Sequence, residues 1–315
     1  MNNLNILYMG TPAFAVAPLE KLLEEKHTIT AVVTAPDRPA GRGRKPKASA
    51  VKKFALSKKI EVLQPENLKS DDFQADLKRL NINLIIVVAF RMLPQKVWAF
   101  PEFGTFNLHA SLLPNYRGAA PINWAIINGE DKTGVTTFMI DEKIDTGKIL
   151  LQEELEVRPQ ETAGELHDRL QVMGANLVHK TVQGIEKDSI KSKAQENNMI
   201  IMPAPKLNRA NTKIDWEQSG KNTVQLIHGL SPFPSAWCYF QNGDQELQCK
   251  IYRAAFEKED QRRPVGQVYI ENKKLKISVN QGFISISELQ VSGKRRMKAQ
   301  DFLNGIQLDK SAKMS

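Results

Sequence analysis

An asparagine and a histidine two residues apart, Asn107 and His109, open the stretch NLHASLLPNYRGAAPINW (Asn107–Trp124). On a strand, residues i and i+2 share a face and lie about 7 Å apart. An imidazole titrates near working pH and can take or give a proton. A side-chain amide N–H can stabilise an oxygen that gains negative charge. Asp145, in the sequence IDTG, offers a carboxylate that could orient the ring. Each residue alone also has a structural reading, since a histidine at a strand end can be core and Asp before Thr-Gly often forms a turn. Taken together they read as a base or acid (His109), an oxyanion donor (Asn107) and an orienter (Asp145). The loop that follows, with Pro114, Arg117, Gly118 and Pro121, holds chemistry that a core strand does not need.

The elements around these residues must bring them to one edge. LNILYMG reads as a strand and TPAFAVAPLEKLLEE as a helix, with Thr11 as N-cap and Pro12 at the first helical position. HTITAVVT is a second strand, rich in β-branched residues. The basic stretch APDRPAGRGRKPKAS has three prolines and two glycines and is expected to be neither helix nor strand. A helix near Ala50–Lys58, a short strand near Val62, a helix near Asp71–Leu80 and the buried strand Leu84–Ala89 follow. This alternation predicts a mostly parallel α/β sheet. TFNLHA is the next strand, so Asn107 and His109 fall at its carboxyl end, where open α/β sheets bind ligands. APINWAIING reads as a helix closed by Gly129. The strands TGVTTFMI and KILLQEELEV, joined by DEKIDTG, could return Asp145 to the same edge, and helical periodicity runs from Glu161 to about Lys187.

Residues 188–208 read as a polar linker with Pro203 and Pro205 near its end. Beyond it, short strands at close spacing (SAWCYF, ELQCKIYRAAF, PVGQVYI, KLKISV, FISISELQV) predict a small OB-like β-barrel with a short helix near Ala299–Asn304. The domain expectation is 1–187, a linker at 188–208, and 209–315.

The chain has 315 residues and a formal net charge of +9. Arg38, Arg42, Arg44, Lys45, Lys47, Lys52, Lys53, Lys58 and Lys59 face a single acid, Asp37, between positions 34 and 59. From Arg209 onward, 17 Lys/Arg stand against 11 Asp/Glu. Such focusing favours a polyanionic partner, with a solvated surface as the bland alternative. The apolar run Asn83–Phe90 is far shorter than the roughly 20 residues a membrane helix needs. The N-terminus has no basic n-region or cleavage site, so no signal peptide is expected. Cys238 and Cys249 lack metal-ligand spacing; two reduced thiols are expected, with a disulfide left open.

Asn-x-His, Ser-Leu-Leu-Pro-x-Tyr-Arg-Gly and Asp-Thr-Gly occur in order, and together they closely resemble the 10-formyltetrahydrofolate-dependent formyltransferases. Within that superfamily the whole chain resembles the branch that formylates charged initiator tRNA. The similarity extends through MGTPAFA, PDRPAGRGRKPKASAVKKFA, IDW (Ile214–Trp216), IHGLSPFPSAW and GKRRMKAQDFLNG.

The resemblance implies a Rossmann-like catalytic domain, a linker and a C-terminal OB-like tRNA-binding barrel. It implies formyl transfer from 10-formyltetrahydrofolate to the α-amino group of methionine on initiator tRNA. It carries the catalytic roles to Asn107, His109 and Asp145, and folate contact to Ser111, Leu112, Leu113 and Pro114. For tRNA contact the basic positions are Arg38, Arg42, Arg44, Lys45 and Lys47 in the loop and Lys294, Arg295 and Arg296 in the barrel. No metal is expected, and no dinucleotide either, because GTPAF is not G-x-G-x-x-G. A cytoplasmic monomer without membrane association is expected. Arg91, in AFRMLP, stands where the family usually has Gly, in a segment near the folate pterin in the family. Two other readings stay open: a formyltransferase for a sugar-nucleotide or other small amine, and a non-catalytic RNA-binding module.

Overall fold

The computed structural model describes residues 2–40, 45–196, 201–260 and 263–315. Its contacts divide the chain into two compact units. The first holds 1–118, 133–155 and 167–203, and the second holds 119–132, 156–166 and 204–315.

Among the described residues, ten strands precede the long helix: β1 (Ile6–Gly10), β2 (Ile29–Val33), β3 (Arg38–Ala40), β4 (Lys45–Lys47), β5 (Val62–Leu63), β6 (Leu84–Val88), β7 (Thr105–His109), β8 (Arg117–Gly118), β9 (Lys132–Met139) and β10 (Ile149–Glu156). The helices are α1 (Val16–Glu24), α2 (Ala50–Ser57), α3 (Asp71–Arg79), α4 (Gln95–Trp98), α5 (Pro121–Ile127) and α6 (Ala163–Glu186). The main sheet runs β10-β9-β7-β6-β1-β2-β5. From β5 to β7 every pairing is parallel, and β9 joins β7 antiparallel. This is the Rossmann-like arrangement expected. β1 and β6 are buried at every residue, as central strands covered on both faces must be. Leu7, Met9, Val33, Ile85 and Val87 pack with Phe73 and Leu77 of α3. Ser70 caps α3 by accepting from Phe73 N–H at 3.4 Å. Asp71 and Asp72 at its start and Lys78 and Arg79 at its end match the helix dipole.

Two local expectations are corrected. Thr11 does not cap the first helix; a 3-10 turn, Ala13–Ala15, intervenes and α1 begins at Val16. The reason is the tight strand exit. A Cβ on Gly10 would lie 2.6 Å from the Ala15 Cβ, and the buried Tyr8 hydroxyl donates to Ala15 O at 2.6 Å. The basic stretch is not all loop either. β3 and β4 pair as an antiparallel ribbon with Pro39 opposite Pro46. Two prolines can face each other at a non-hydrogen-bonded pair, where neither missing N–H is needed.

The remaining elements are β11 (Pro203–Ala204), α7 (Gly220–Gly229), β12 (Ala236–Asn242), β13 (Gln245–Lys258), β14 (Val268–Glu271), β15 (Lys274–Val279), β16 (Gly282–Val291), β17 (Met297–Lys298), α8 (Ala299–Asn304) and β18 (Lys313–Met314). The antiparallel order is β14-β15-β16-β13-β12-β18, with β17 on β16. Its two ends meet: Val268 N–H donates to Ala312 O at 2.9 Å, and Met314 N–H to Gly266 O at 2.8 Å. That closure gives the OB-like barrel, filled by Phe240, Ile251, Leu275, Ile284 and Leu289. Cys238 and Cys249 face each other across β12 and β13 as buried free thiols.

α7 was not legible as a helix, although Ser219 caps it by accepting from Asn222 N–H at 3.1 Å. It packs beside α5, where Asn123 Nδ2–H donates to Gly229 O at 2.7 Å. His228 of α7 is buried, and its Nε2 accepts from Ala254 N–H at 3.4 Å. Burial first, then the Arg253 charge, holds the imidazole below its ordinary pKa. The folded form therefore resists a proton that the unfolded chain accepts. Stability should be full above the ordinary histidine value and fall as pH drops below it. Urea midpoints at pH 7.5 and 5.5 should separate more for the wild type than for His228→Gln, and equal separations would remove His228 as the cause.

Candidate active site

β7 ends at His109, and Asn107 lies two residues before it on the same face. His109 pairs with Thr136 of β9, and Asn107 lies between Val87 of β6 and Phe138 of β9. The imidazole is buried, with the Phe138 ring edge-on at 6.5 Å between centroids. The chain then turns back on itself, and Tyr116, in a left-handed conformation (φ 61°), points its carbonyl at the ring. His109 Nε2 lies 2.7 Å from Tyr116 O. A carbonyl only accepts, so the proton sits on Nε2 and the lone pair of the neutral ring sits on Nδ1. Nδ1 faces Asp145 Oδ2 at 3.9 Å. That is outside hydrogen-bond reach.

Asp145 lies in the loop between β9 and β10 with φ 57°. Its Oδ2 accepts from Gly118 N–H at 2.9 Å, so the carboxylate is tied to the segment that follows β7. The Asn107 side-chain amide has no protein partner among the described residues and is half-buried. The structure thus brings all three sequence-derived residues to one edge.

The segment Ser111–Pro114 is held mainly by one hydroxyl. Thr136 Oγ1 donates to Ser111 O at 2.6 Å and accepts from Leu113 N–H at 3.2 Å and from Gln152 Nε2–H at 2.9 Å. Gln152 also donates to Leu113 O at 2.8 Å, and Ser111 Oγ donates to Asn115 O at 2.6 Å. Ser111 and Leu113 are buried, while Leu112 and Pro114 are half-exposed. Sequence reasoning missed Thr136 and Gln152. Burial, which no sequence pattern marks, sets Thr136 apart: it and Thr137 are fully buried in β9.

A second omission is Gln195, in the stretch read as linker. Lys193 pairs with Ile149 there, and Gln195 is buried against the Asp145 loop. Its Nε2 donates to Asp145 O at 2.9 Å and Gly147 O at 2.8 Å. Its Oε1 accepts from Arg117 Nη2 at 2.6 Å and Nε at 3.1 Å.

Arg91 has no left-handed backbone; the positive φ falls instead on Ala89 (49°). Its guanidinium donates to Glu66 O at 2.8 Å and also to Pro65 O. Of the basic positions, Arg38 and Lys47 are exposed, and of Lys45 only the β4 backbone is described. Arg42 and Arg44 lie outside the described residues. Lys294 and Arg295 are exposed at the turn after β16. Arg296 is engaged within the barrel: it binds Glu288 through Nε (2.7 Å) and Nη2 (2.6 Å) and stacks 4.2 Å from the Tyr252 ring. Among the described residues no cluster of three His, Cys, Asp or Glu could hold a metal, and no helix is long and apolar enough to cross a membrane.

Residues 2–182 match the formyl transferase family model, and residues 206–307 match that of the formyl transferase C-terminal domain. A methionyl-tRNA formyltransferase of Flavobacterium johnsoniae is 52% identical, with 100% of both chains covered. The chain belongs to the methionyl-tRNA formyltransferase family. Another relative with that name, from Flavobacterium psychrophilum, is 53% identical over 97% of each chain. Among solved structures, HypX from Aquifex aeolicus in complex with tetrahydrofolic acid is similar in fold. Its TM-score is 0.65 at 18% identity, over 98% of this chain and 49% of that one.

Thr136→Val keeps the shape of the side chain and removes its hydroxyl. The buried Leu113 N–H loses its partner, at a cost of about 1–3 kcal/mol in stability. If Ser111–Pro114 holds folate, KM for 10-formyltetrahydrofolate should rise several-fold while kcat changes less. Steady-state kinetics and urea unfolding on the same preparation test this, and an unchanged KM would detach the loop from folate binding.

Proposed function

We propose that the chain transfers the formyl group of 10-formyltetrahydrofolate to the α-amino group of methionine esterified to initiator tRNA, as a cytoplasmic monomer. The observation that carries the chemistry is the orientation of His109. Its Nε2 is committed to Tyr116 O, and its lone-pair nitrogen Nδ1 faces Asp145. In this reading residues 1–187 form the catalytic domain, 188–208 the linker, and 209–315 the tRNA-binding barrel.

The site fits a formyl donor in two respects. The half-buried Asn107 amide lacks a protein partner among the described residues, and the Ser111–Pro114 segment is pinned by Thr136 and Gln152. The folate supplies an activated one-carbon acyl group. His109 accepts the proton that the attacking amine loses as the new C–N bond forms. It then returns a proton to N10, the folate nitrogen that departs. Asp145 stabilises the imidazolium between those events, and the Asn107 N–H donates to the formyl oxygen as charge builds on it. The exposed cations Arg38, Lys47, Lys294 and Arg295 would meet tRNA phosphates. Arg42 and Arg44 are assigned to tRNA on the resemblance alone. Arg296 would act through neighbours, since Glu288 holds its guanidinium.

His109→Ala and Asn107→Ala should each lower kcat by at least about 100-fold, the scale of lost acid–base or oxyanion contributions. Asp145→Asn, which keeps shape and removes charge, should also be severe. The assay is transfer of labelled formyl to methionyl initiator tRNA. Near-normal turnover in all three variants would sink the assignment, and preference for a sugar-nucleotide amine would replace the substrate.

Arg42, flanked by Gly41 and Gly43, should act differently from an ordinary phosphate contact such as Lys47. Arg42→Ala should reduce kcat/KM for initiator tRNA by about 1–3 kcal/mol while sparing a methionylated elongator tRNA. Lys47→Ala should weaken both alike, more so at low salt. An equal fall for both tRNAs in Arg42→Ala would reduce it to general electrostatics.

A further inference from the structure

We infer that Gln195 is a positioning residue: it fixes the Asp145 carboxylate opposite His109 by clamping the backbone of the loop that carries it. The inference rests on the reading of His109 and Asp145 above. Asp145 is difficult to place. Its backbone is left-handed, which disfavours a side chain, and its carboxylate draws one hydrogen bond, from Gly118 N–H. Something outside the loop must hold it there.

Gln195 supplies that hold with every hydrogen-bonding valence it has. Its amide group donates to Asp145 O and Gly147 O, one residue on either side of Thr146. Its carbonyl oxygen accepts two N–H groups of Arg117, adjacent to the Gly118 that binds the carboxylate. One planar amide therefore joins both segments that meet at Asp145. It is buried, so water competes poorly for these bonds. Gly147 adds a steric limit: a Cβ there would fall 1.6 Å from Met139 O, so the loop has no slack towards β9. The anchor is itself anchored, because Lys193 exchanges hydrogen bonds with Ile149 at 2.7 and 2.8 Å.

The residue type is specific. A glutamate would keep the volume and the Arg117 contact, but it would present oxygen to two carbonyl oxygens. An alanine would release both segments. Neither change touches Asn107, His109 or the hydroxyl that holds Ser111–Pro114, so substrate binding should persist while the catalytic geometry loosens.

The test measures formyl transfer to methionyl initiator tRNA for wild type, Gln195→Ala, Gln195→Glu, Asp145→Asn and the double variant Gln195→Ala/Asp145→Asn. Circular dichroism melting is recorded on each. Both Gln195 variants should lose kcat by about 10- to 100-fold, the scale of a misplacement of about 1 Å, with KM for folate and tRNA within about twofold. In the Asp145→Asn background, Gln195→Ala should cost less than about threefold more, because the group it positions is already disabled. Both variants should keep a cooperative melt and near-wild-type KM values while kcat falls, which separates positioning from loss of fold. Wild-type kcat in Gln195→Glu, or losses that multiply fully in the double variant, would overturn the inference. A wild-type protein that transfers no formyl group would overturn the proposed function instead.

Discussion

The hydrogen bond between His109 Nε2 and the Tyr116 carbonyl, at 2.7 Å, decides what the rest of the site can do. A neutral imidazole has one donor and one acceptor nitrogen, and this contact assigns them. Without it the ring could present either nitrogen to Asp145. With it, the basic lone pair faces the carboxylate and the solvent-shielded N–H faces the backbone. The assignment depends on a main-chain oxygen, which the return of the chain from Ser111 to Gly118 brings to the ring. That return has a conformational cost at Tyr116, whose φ of 61° is unfavourable for a side chain. The Thr136 hydroxyl and the Gln152 amide, bound to the turn at Ser111 and Leu113, offset that cost.

The same logic explains why Asp145 stands 3.9 Å from Nδ1 and not in hydrogen-bond contact. A carboxylate bonded directly to Nδ1 would need a proton on that nitrogen, and no lone pair would remain there. At 3.9 Å the carboxylate faces the ring, yet the lone pair on Nδ1 stays available. Rigidity, not direct contact, must then maintain the distance. The left-handed backbone at Asp145, the Gly118 N–H and the packing of Gly147 against Met139 O all limit the loop.

Much of this was legible in the sequence, but only where side-chain type and spacing carry the information. The two-residue period puts Asn107 and His109 on one strand face, and the strand–turn–strand pattern around IDTG returns Asp145 to that edge. Backbone groups leave no such trace, so the Tyr116 carbonyl was invisible. Gln195 was hidden because a polar stretch with few apolar residues reads as linker, although one buried amide can tie it down. The units were hidden for a related reason. Ala119–Lys132 and Glu156–Leu166 group with the barrel, and segments distant in sequence declare their partners only through contacts such as Asn123 to Gly229. Arg91 shows the converse. A glycine-to-arginine departure suggests an altered backbone, but the positive φ sits at Ala89 and the guanidinium finds carbonyls of Pro65 and Glu66.

Counting the hydrogen-bonding valences at the edge shows what remains for a substrate. Thr136, the Gln152 amide N–H groups and Gln195 are spent on backbone, on each other and on Arg117. Tyr116 O takes the His109 N–H, and Gly118 N–H takes Asp145 Oδ2. Among the described residues, the Asn107 amide and the lone pair on His109 Nδ1 are two side-chain groups there without a hydrogen-bond partner. One is a donor for an oxygen and the other an acceptor for a proton. A reaction that needs both at once, charge growing on an oxygen while a nitrogen sheds a proton, is amine attack on an acyl carbon. A preorganised donor and base lower that barrier because neither must reorient as charge moves. In the proposed reading, Thr136, Gln152 and Gln195 would serve the chemistry too, because their bonds to the backbone would hold the donor and the base in place.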